Sequence, residues 1–369
     1  MIYFDHNATT PIDQRVLDAM LPFLEHFYGN PSSLYRHGRI ARTALDNARE
    51  QIANLLDAKD VNIVFTSGGT EANHLALTGL SLHGNLAVSA IEHPSLIEPA
   101  KRLALADRCL QIIDVDGQGV IKEDAVLELL SFQPEWVSIM LANNETGAIQ
   151  PVARYADLLK THGIRIHTDA VQALGKIPVS FSQLGVDAMT LSSHKIYGPK
   201  GCGALVFKKD AAIQPLLQGG GQESGFRAGT ENVAAIVGFG KAAELASAEL
   251  AQRMSQLREL RDLFERGLAE LTGVKVFAQH AERLPNTVQF GVEGVDGEML
   301  LMQLDQKGFA VSSGSACASA GKQPSPVLLA MGVGDEEAKT AIRVSFGVSN
   351  SDTEVMQFIN VLKILLNQA

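Results

Sequence analysis

The sequence predicts an α/β fold, with a mainly parallel central sheet in a large domain and a smaller α+β domain. Two observations lead to this prediction. As far as about residue 210, short apolar or β-branched runs alternate with helical segments, which is typical of βαβ units whose sheet is covered on both faces. The order of the elements then changes beyond Leu250, and a chain of 369 residues is long enough for two domains.

The composition indicates a protein of a reducing compartment, which we expect to be the cytoplasm. The formal net charge is -10 and no long basic run occurs, which argues against nucleic acid as the main partner. The cysteines, Cys109, Cys202 and Cys317, share no CxxC-like spacing, so we expect neither a disulfide framework nor a metal site. No basic leader and no apolar run of membrane length is visible, so we expect no signal peptide and no membrane span.

The elements of the large domain follow from the spacing of apolar residues. A helix is predicted over Ser33–Asp57, where apolar side chains recur at three- and four-residue steps. Val61–Phe65 is a short β-type run. The further predicted strands are Leu86–Ile91, Leu110–Val115, Trp136–Leu141, Ile164–Thr168, Met189–Leu191 and Ala204–Phe207. The predicted helices between them are Ser95–Ala106, Lys122–Ser131 and Val152–His162.

A glycine-containing turn between the first strand and a helix indicates an anion site. The turn carries Ser67, Gly69 and Thr70, and the helical pattern continues to about Leu82. Glycine lets the backbone approach an anion, and the N–H groups at a helix N-terminus bind phosphate. An ordinary helix cap by Thr70 explains the same residues equally well. No GKS or GKT follows, so the turn is not a nucleotide-binding P-loop.

Polar side chains follow several predicted strands at the point where each strand ends. They are Glu92 and His93, Asn143 and Asn144, Asp169 with Gln172, and Ser192 with His194 and Lys195. Groups at the carboxyl ends of parallel strands converge in space. The sequence therefore predicts a functional site at this edge of the sheet.

Lys195 stands out within this group. It follows a strand, in a loop stiffened by Pro199 and rich in glycine, with His194 and Lys200 close by in the sequence. A lysine that is desolvated or crowded by another cation becomes a free amine and can act as a covalent catalyst. The setting suits a Schiff-base lysine, although a solvated surface charge is the ordinary alternative.

The remaining sequence predicts the smaller domain. A glycine-rich loop over Gln218–Thr230 precedes an alanine-rich helix that runs toward Leu271. The predicted elements after it are strands at Asn286–Val292, Phe309–Ser312 and Ala341–Phe346, and helices at Glu298–Gln306 and Thr353–Leu366. We assign residues 12–250 to the large domain, and residues 1–11 and 251–369 to the small domain.

A series of motifs carries a resemblance to a known family. In chain order they are YFDHNATTP, NPSS, TSGGTEAN, EHPS, NNETG, HTDAVQ, SSHKIYGPKG, GGGQESGFRAGTEN, SSGSAC and IRVSFG. With these motifs the chain resembles the cysteine desulfurases of the nitrogen-fixation and iron–sulfur-cluster type, a branch of the class-V aminotransferases. The resemblance runs essentially from end to end and implies the pyridoxal-phosphate-dependent transferase fold of type I.

The resemblance implies a site for pyridoxal 5'-phosphate. Lys195 would form the Schiff base and shuttle the Cα proton of the substrate, and His93 would stack on the ring and act as an acid or base. Asp169 would keep the pyridine nitrogen protonated, which makes the ring an electron sink. Gln172 would bond the phenolic oxygen. The residues implied to hold the phosphate are Gly69, Thr70, Ser192, His194 and, from the neighbouring subunit of a homodimer, Thr230.

The resemblance also implies the substrate and the thiol that takes its sulfur. Asn144 and Arg343 would fix the carboxylate of L-cysteine. Cys317 lies in SSGSACASAG, where small neighbours put little steric restriction on the backbone. Its thiolate would attack the substrate sulfur, leaving L-alanine and a persulfide for a sulfur-acceptor protein, either a scaffold or a sulfur carrier. The residues from Cys317 through Gly321 to Pro324 resemble the subgroup with the longer cysteine loop.

Alternatives remain open at this point. A selenocysteine lyase or an aminotransferase would share the fold, and an aminotransferase would not need Cys317. A persulfide carrier without catalysis would bind no cofactor. Few residues follow Arg343, whereas many relatives that serve an iron–sulfur scaffold have a longer C-terminal extension. The acceptor therefore stays open between such a scaffold, tRNA thiolation, another cofactor pathway and DNA modification.

Overall fold

The computed structural model describes residues 1–80, 84–106, 108–211, 213–313 and 323–367. The described strands are β1 (Ile2–Tyr3), β2 (Val61–Thr66), β3 (Leu86–Ser89), β4 (Leu110–Ile113), β5 (Trp136–Ser138), β6 (Arg165–Asp169), β7 (Ala188–Ser192), β8 (Gly203–Lys208), β9 (Val274–Val276), β10 (Thr287–Val292), β11 (Phe309–Ala310) and β12 (Ile342–Ser345).

The described helices are α1 (Gln14–Glu25), α2 (Arg36–Leu55), α3 (Gly69–Gly79), α4 (Pro94–Ala104), α5 (Glu123–Phe132), α6 (Val152–Lys160), α7 (Phe181–Leu184), α8 (Val233–Ala269), α9 (Gly297–Gln306), α10 (Pro326–Ala330), α11 (Asp335–Ala338) and α12 (Asp352–Asn367). None of these helices combines the length and the apolar character that a membrane crossing requires.

The central sheet has seven strands in the order β2-β8-β7-β6-β5-β3-β4. The neighbouring pairs from β7 to β4 are parallel, whereas β8 runs antiparallel to both β2 and β7. The predicted mainly parallel sheet is therefore confirmed. Because β8 alone reverses direction within this sheet, the carboxyl ends of the other six strands lie at the same edge.

A second hydrophobic cluster lies outside the central sheet. It joins side chains of β10, β12, α9, α12 and the second half of α8, and it includes Phe4 from the N-terminal segment. Strand β1 pairs in parallel with β11, which brings the first residues of the chain to this part of the molecule. This arrangement is in line with a small domain built from both termini. The boundary at residue 250 stays a prediction, since α8 continues through it without a break.

Helix α1 was not predicted from the sequence. Asp13 caps it by accepting a hydrogen bond of 2.9 Å from the backbone N–H of Arg15. The helix packs closely on α8, where a side-chain carbon at Gly238 would come within 2.6 Å of the sulfur of Met20. Only Val16 of α1 is fully buried, although Met20, Phe23 and Leu24 recur with it at helical spacing, a signal that the reasoning from the sequence missed.

Phe264 lies at the centre of the second cluster, fully buried against the rings of Phe290, Phe346 and Phe358, with ring centroids 5.4 to 5.9 Å away. We expect Phe264→Ala to lower the free energy of unfolding by about 3–5 kcal/mol, because it leaves a cavity as well as losing contacts. Urea unfolding followed by circular dichroism measures this loss. Met302→Ala, at a side chain that is 62% exposed, is the control and should change stability by less than about 0.5 kcal/mol. Equal losses for both variants would contradict the central place of Phe264.

Candidate active site

The polar side chains predicted at the strand ends meet at one edge of the central sheet. Asp169 is the last residue of β6 and Ser192 is the last residue of β7. His93 follows β3 and caps α4, accepting at its ring Nδ1 a hydrogen bond from the backbone N–H of Ser95. The parallel strands thus bring together residues that are far apart in the sequence, as the strand-end pattern predicted.

Lys195 lies in a short 3-10 turn, Ser193–Lys195, directly after β7. Its amine donates hydrogen bonds to the backbone carbonyls of Asn7, at 2.5 Å, and Ala8, at 2.7 Å. Both carbonyls belong to the N-terminal segment, which crosses this edge of the sheet. The position of the catalytic lysine candidate is therefore set by residues at the opposite end of the sequence.

The N-terminal segment also holds the backbone of the lysine loop. Both the N–H and the hydroxyl of Thr10 donate to the carbonyl of His194, at 3.0 and 2.9 Å. The same hydroxyl accepts from the N–H of Tyr197 at 2.9 Å. His194 contacts the hydroxyl of Thr9 through its Nδ1 at 3.1 Å. These bonds fix the loop on both sides of Lys195.

A buried hydrogen-bond chain connects Asp169 with His93. The amide nitrogen of Asn73 donates to a carboxylate oxygen of Asp169 at 2.8 Å and to the hydroxyl of Ser95 at 2.9 Å. That hydroxyl lies 2.7 Å from Nδ1 of His93. The other carboxylate oxygen of Asp169 accepts from the N–H of Val171 at 2.9 Å. Asp169 is thus held in one orientation while buried, which a carboxylate facing a ring nitrogen requires.

His93 is neutral at physiological pH in this setting. Burial lowers its pKa, the carboxylate of Asp169 raises it, and the ammonium of Lys195 lowers it, with a lowered value as the result. Because Nδ1 accepts from the N–H of Ser95, the neutral ring carries its proton on Nε2. That nitrogen is the one available for proton exchange with a ligand.

Glu92, next to His93, is a buried carboxylic acid. One of its oxygens accepts from the hydroxyl of Ser89 at 2.6 Å and from the N–H of Met140 at 2.5 Å. Burial is the main cause that raises the pKa of Glu92 to about 8, with a smaller rise from the charge of Asp169 and an opposing, lowering effect of the bonds from Ser89 and Met140. Glu92 is therefore protonated at neutral pH, so Asp169 has no second carboxylate charge beside it.

The turn before α3 fits a phosphate group. The hydroxyl of Ser192 is buried and has no hydrogen-bond partner among the described residues, an arrangement that is costly without a ligand. It lies beside Gly69, the first residue of α3, where an added side-chain carbon would meet the Cβ of Ser192 at 3.6 Å and Val171 at 3.2 Å. Unpaired N–H groups at this helix start and the Ser192 hydroxyl form a donor set suited to an anion. Thr70 follows in the first turn and is exposed.

Gln172 has both ends of its side-chain amide engaged. The amide nitrogen donates to the backbone carbonyl of Asn7 at 3.0 Å, and the oxygen accepts from the amine of Lys176 at 2.7 Å. The carbonyl of Asn7 is also the acceptor for Lys195. Gln172 and Lys195 therefore share one backbone oxygen, which places them side by side.

Arg343 and Asn144, the pair predicted to bind a carboxylate, are in direct contact. One nitrogen of the Arg343 guanidinium donates to the backbone carbonyl of Asn144 at 3.1 Å. Another nitrogen forms an ion pair of 2.6 Å with Asp5 of the N-terminal segment. Arg343 is 2% exposed, so its charge is buried and lies at the rim of the same site.

One predicted site residue, Thr230, stands apart from this group. Thr230 is exposed, at the end of the glycine-rich loop that an ion pair of 2.8 Å between Arg227 and Glu71 ties to α3. Cys317 lies outside the described residues. The other cysteines are free thiols, Cys109 exposed and Cys202 buried. Burial raises the pKa of Cys202, so this thiol stays protonated at neutral pH.

Four residues of the site were missed by the reasoning from the sequence. They are Asn7, Asn73, Ser95 and Lys176, and each acts by holding a residue that was predicted. Three of them lie in or beside recognised motifs, whereas Lys176 follows HTDAVQ at helical distance from Gln172. The i and i+4 spacing of Gln172 and Lys176 was the sequence signal by which Lys176 could have been found.

The comparison with protein families decides the class of the molecule. The family model for class-V aminotransferases matches residues 2–358, almost the whole chain. The chain belongs to the class-V aminotransferase family. This confirms the resemblance that the motifs carried, and it accounts for a site with one lysine, one buried aspartate and a phosphate-binding turn, because the enzymes of this family depend on pyridoxal phosphate.

Similar proteins support this membership. A protein of Dictyoglomus turgidum named cysteine desulfurase IscS is 42% identical over 373 residues, covering 100% of this chain and 95% of that protein. The solved structure of a NifS-like protein from Rickettsia africae superposes with a TM-score of 0.92 at 35% identity, covering 100% and 99% of the two chains. A structure described as SspA in complex with cysteine has a TM-score of 0.81 at 29% identity, covering 94% and 99%. The family fold is thus shared throughout.

The protonated state of Glu92 predicts a pH-dependent stability. The folded protein keeps this proton up to about pH 8, whereas the unfolded chain loses it near the ordinary pKa. The stabilisation is therefore complete below the ordinary value and is lost as the pH rises through about 8. Glu92→Gln cannot ionise. We therefore expect its free energy of unfolding to increase relative to that of the wild type, by on the order of a few kcal/mol, as the pH rises from about 5 to about 8.5.

Urea midpoints of the two proteins across this range measure the gain. Glu98→Gln, at a side chain that is 67% exposed, should show no such trend. If the Glu92→Gln and wild-type midpoints differ by the same amount at every pH, Glu92 is not protonated in the folded protein.

Proposed function

We propose that this protein is a pyridoxal-phosphate-dependent cysteine desulfurase, which converts L-cysteine into L-alanine and leaves the sulfur as a persulfide on Cys317. The observation that carries the proposal is the meeting of the Lys195 amine, the Asp169 carboxylate and the His93 imidazole at one edge of the sheet. Relatives that are 39–42% identical to this chain, over 98–100% of its length, carry the name cysteine desulfurase. One structural neighbour is described as a complex with cysteine.

The residues present fit the cofactor at each of its polar ends. When bound, pyridoxal phosphate supplies an electron sink for the bonds at the substrate's α-carbon. Asp169, fixed by Asn73, would face the ring nitrogen, and the amide nitrogen of Gln172 would donate to the phenolic oxygen. The residues proposed to hold the phosphate are Gly69, Thr70, Ser192, His194 and, from a second subunit, Thr230.

Lys195 and His93 would handle the protons of the reaction. The Lys195 amine would take the proton from the α-carbon of the substrate, since it lies at the same edge as the ring-binding residues. His93, neutral and protonated on Nε2, can accept a proton from the substrate thiol and return it. His93 is held through its Nδ1, and the backbone on both sides of Lys195 is held by Thr10, so both residues are positioned before the substrate arrives.

Arg343 and Asn144 would bind the substrate carboxylate. The buried guanidinium is oriented by the Asn144 carbonyl and by Asp5. A planar guanidinium held in this way recognises a carboxylate through paired N–H groups. The substrate's α-carbon would then lie between Arg343 and Lys195, which both contact the N-terminal segment.

Cys317 would complete the reaction. Its thiolate attacks the sulfur of the substrate, so that an S–S bond forms while the substrate's Cβ–S bond breaks. The carbon fragment takes up a proton and leaves as alanine, and the sulfur stays on the enzyme as a persulfide. No external oxidant or reductant is consumed. A sulfur-acceptor protein would then take the terminal sulfur by attack of its own thiolate.

A homodimer would complete the phosphate site. Thr230 and the glycine-rich loop before it face solvent in the single chain, while Arg227 and Glu223 anchor the loop to α3 and β2. An exposed loop anchored in this way is suited to reach a neighbouring subunit. The expected location is the cytoplasm, in keeping with the free thiols of the two described cysteines.

Replacement of the proposed persulfide carrier tests the reaction. We expect Cys317→Ser to keep the cofactor and its visible absorbance but to release neither alanine nor sulfide from L-cysteine, because serine cannot accept the sulfur. Chromatography of alanine and a colorimetric sulfide assay with added thiol measure both products. Cys109→Ser, at an exposed thiol, should turn over normally. Normal turnover of Cys317→Ser would favour a transaminating activity that does not need this thiol.

Replacement of Lys195 tests the cofactor chemistry. We expect Lys195→Ala to lower turnover by about a thousandfold or more, since the proton acceptor is lost. The visible absorbance of the lysine-bound cofactor should disappear as well. Lys200→Ala, at an exposed lysine in the same loop, should keep both the activity and the absorbance. An unchanged spectrum in Lys195→Ala would rule out this lysine as the attachment point.

A further inference from the structure

A second lysine lies behind the proposed cofactor site. Lys176 is 5% exposed, and its amine donates to the side-chain oxygens of Asn7, at 2.8 Å, and Gln172, at 2.7 Å. Both partners are neutral amides. In the part of the chain that the structure describes, no carboxylate pairs with this amine.

The titratable groups that interact with Lys176 are basic side chains. The amine interacts electrostatically with Lys195 and Arg343, and with His6 and His194. Burial lowers its pKa well below the ordinary value, and the charges of Lys195 and Arg343 lower it further. Burial of an amine among cations costs stability. This cost points to a function for Lys176.

The contacts of Lys176 show what that function is. The amide oxygen of Gln172 is turned toward Lys176, so the amide nitrogen has to point to the opposite side, where it meets the carbonyl of Asn7. The side-chain oxygen of Asn7 is fixed in the same way, and the backbone oxygen of that residue receives Lys195. Asn286 and Thr287 also hold the Asn7 amide, whereas the side-chain oxygen of Gln172 receives its hydrogen bond from Lys176.

We propose that Lys176 is a positioning residue, which fixes the amide of Gln172 so that its N–H group faces the phenolic oxygen of the cofactor. It touches neither substrate nor cofactor and acts through Gln172 and Asn7. Without it, the Gln172 oxygen loses its donor, and only the bond from the amide nitrogen to the Asn7 carbonyl still orients the amide. The inference rests on the proposed function, because it needs pyridoxal phosphate bound next to Gln172.

A double-mutant cycle tests this role on the full-length, cofactor-loaded protein. The variants are Lys176→Met, Gln172→Leu and the combination of both. The readout is the pH midpoint of the visible absorbance of the lysine-bound cofactor, which depends on the donor at the phenolic oxygen and not on turnover. Lys208→Met is the control, since Lys208 pairs with Asp187 at the opposite edge of the sheet.

We expect the midpoint to rise by about 0.5–1 pH unit in Lys176→Met, as one hydrogen bond to the ionised oxygen is weakened. Gln172→Leu should raise the midpoint by a similar amount. The midpoint of the double variant should rise by no more than the larger of the two single changes. Lys208→Met should leave the midpoint at the wild-type value. An unchanged midpoint in Lys176→Met, or additive shifts in the double variant, would overturn the proposal.

A second measurement is independent of the cofactor spectrum. The folded-state pKa of Lys176 is lowered, so between that value and the ordinary one the unfolded chain binds more protons. Wild-type stability should therefore rise relative to Lys176→Met as the pH increases toward the ordinary lysine pKa of about 10.4. A constant difference in the urea midpoints would show that Lys176 is an ordinary charged lysine, which contradicts its burial among cations.

Two further outcomes keep the test decisive. If Lys176→Met does not fold, Lys176→Gln takes its place, and its midpoint must lie between those of the wild type and Gln172→Leu. A midpoint equal to the wild type in that variant overturns the proposal. A wild-type protein that shows the cofactor absorbance but releases no sulfide contradicts the proposed function, while the absorbance cycle still tests Lys176.

Discussion

The hydrogen bonds of Asn7 are the constraint on which the site depends. This one residue accepts from Lys195, Gln172 and Lys176. It donates to Thr287 and to the hydroxyl of Ser345, which lie in the small three-stranded sheet β12-β10-β9. Asn7 is 1% exposed, so each polar group that lost its partner would cost stability without compensation from water. The N-terminal segment therefore joins the central sheet to the small sheet, and the lysine loop to both.

The second feature of the site is the sign of its electrostatic potential. Lys195 and Arg343 place positive charge at this sheet edge and lower the pKa of the buried Lys176, while burial lowers the pKa of His194 to about 4 and keeps its imidazole neutral. Glu92 retains its proton. Positive potential is thus left for ligands, which suits a phosphorylated cofactor and a substrate with a carboxylate. Asp169 supplies a negative charge where a ring nitrogen requires one.

The regular part of the fold could be predicted from the sequence because its signal is local. Buried parallel strands such as Met189–Leu191 are continuous apolar runs, and their ends are marked by polar residues. Prediction was weaker where tertiary contacts decide. Trp136–Leu141 was expected as one strand, but β5 ends at Ser138, after which Ile139 and Leu141 still bond to the neighbouring strand. Helix α1 has a local helical pattern that was overlooked, whereas its packing against α8 is evident only in the structure.

The sequence by itself determined the alternation of strands and helices, the family, and the residue types at the strand ends, since these depend on neighbours in the chain and on motifs. The tertiary structure alone decided which groups orient these residues. Asn73 bonds to Asp169, Asn7 to Lys195, and Lys176 to Gln172. The physical reason is that a hydrogen bond between distant residues leaves no periodic trace in a sequence. Such a bond exists only where the sheet, the lysine loop and the N-terminal segment meet, and burial then makes it costly to break.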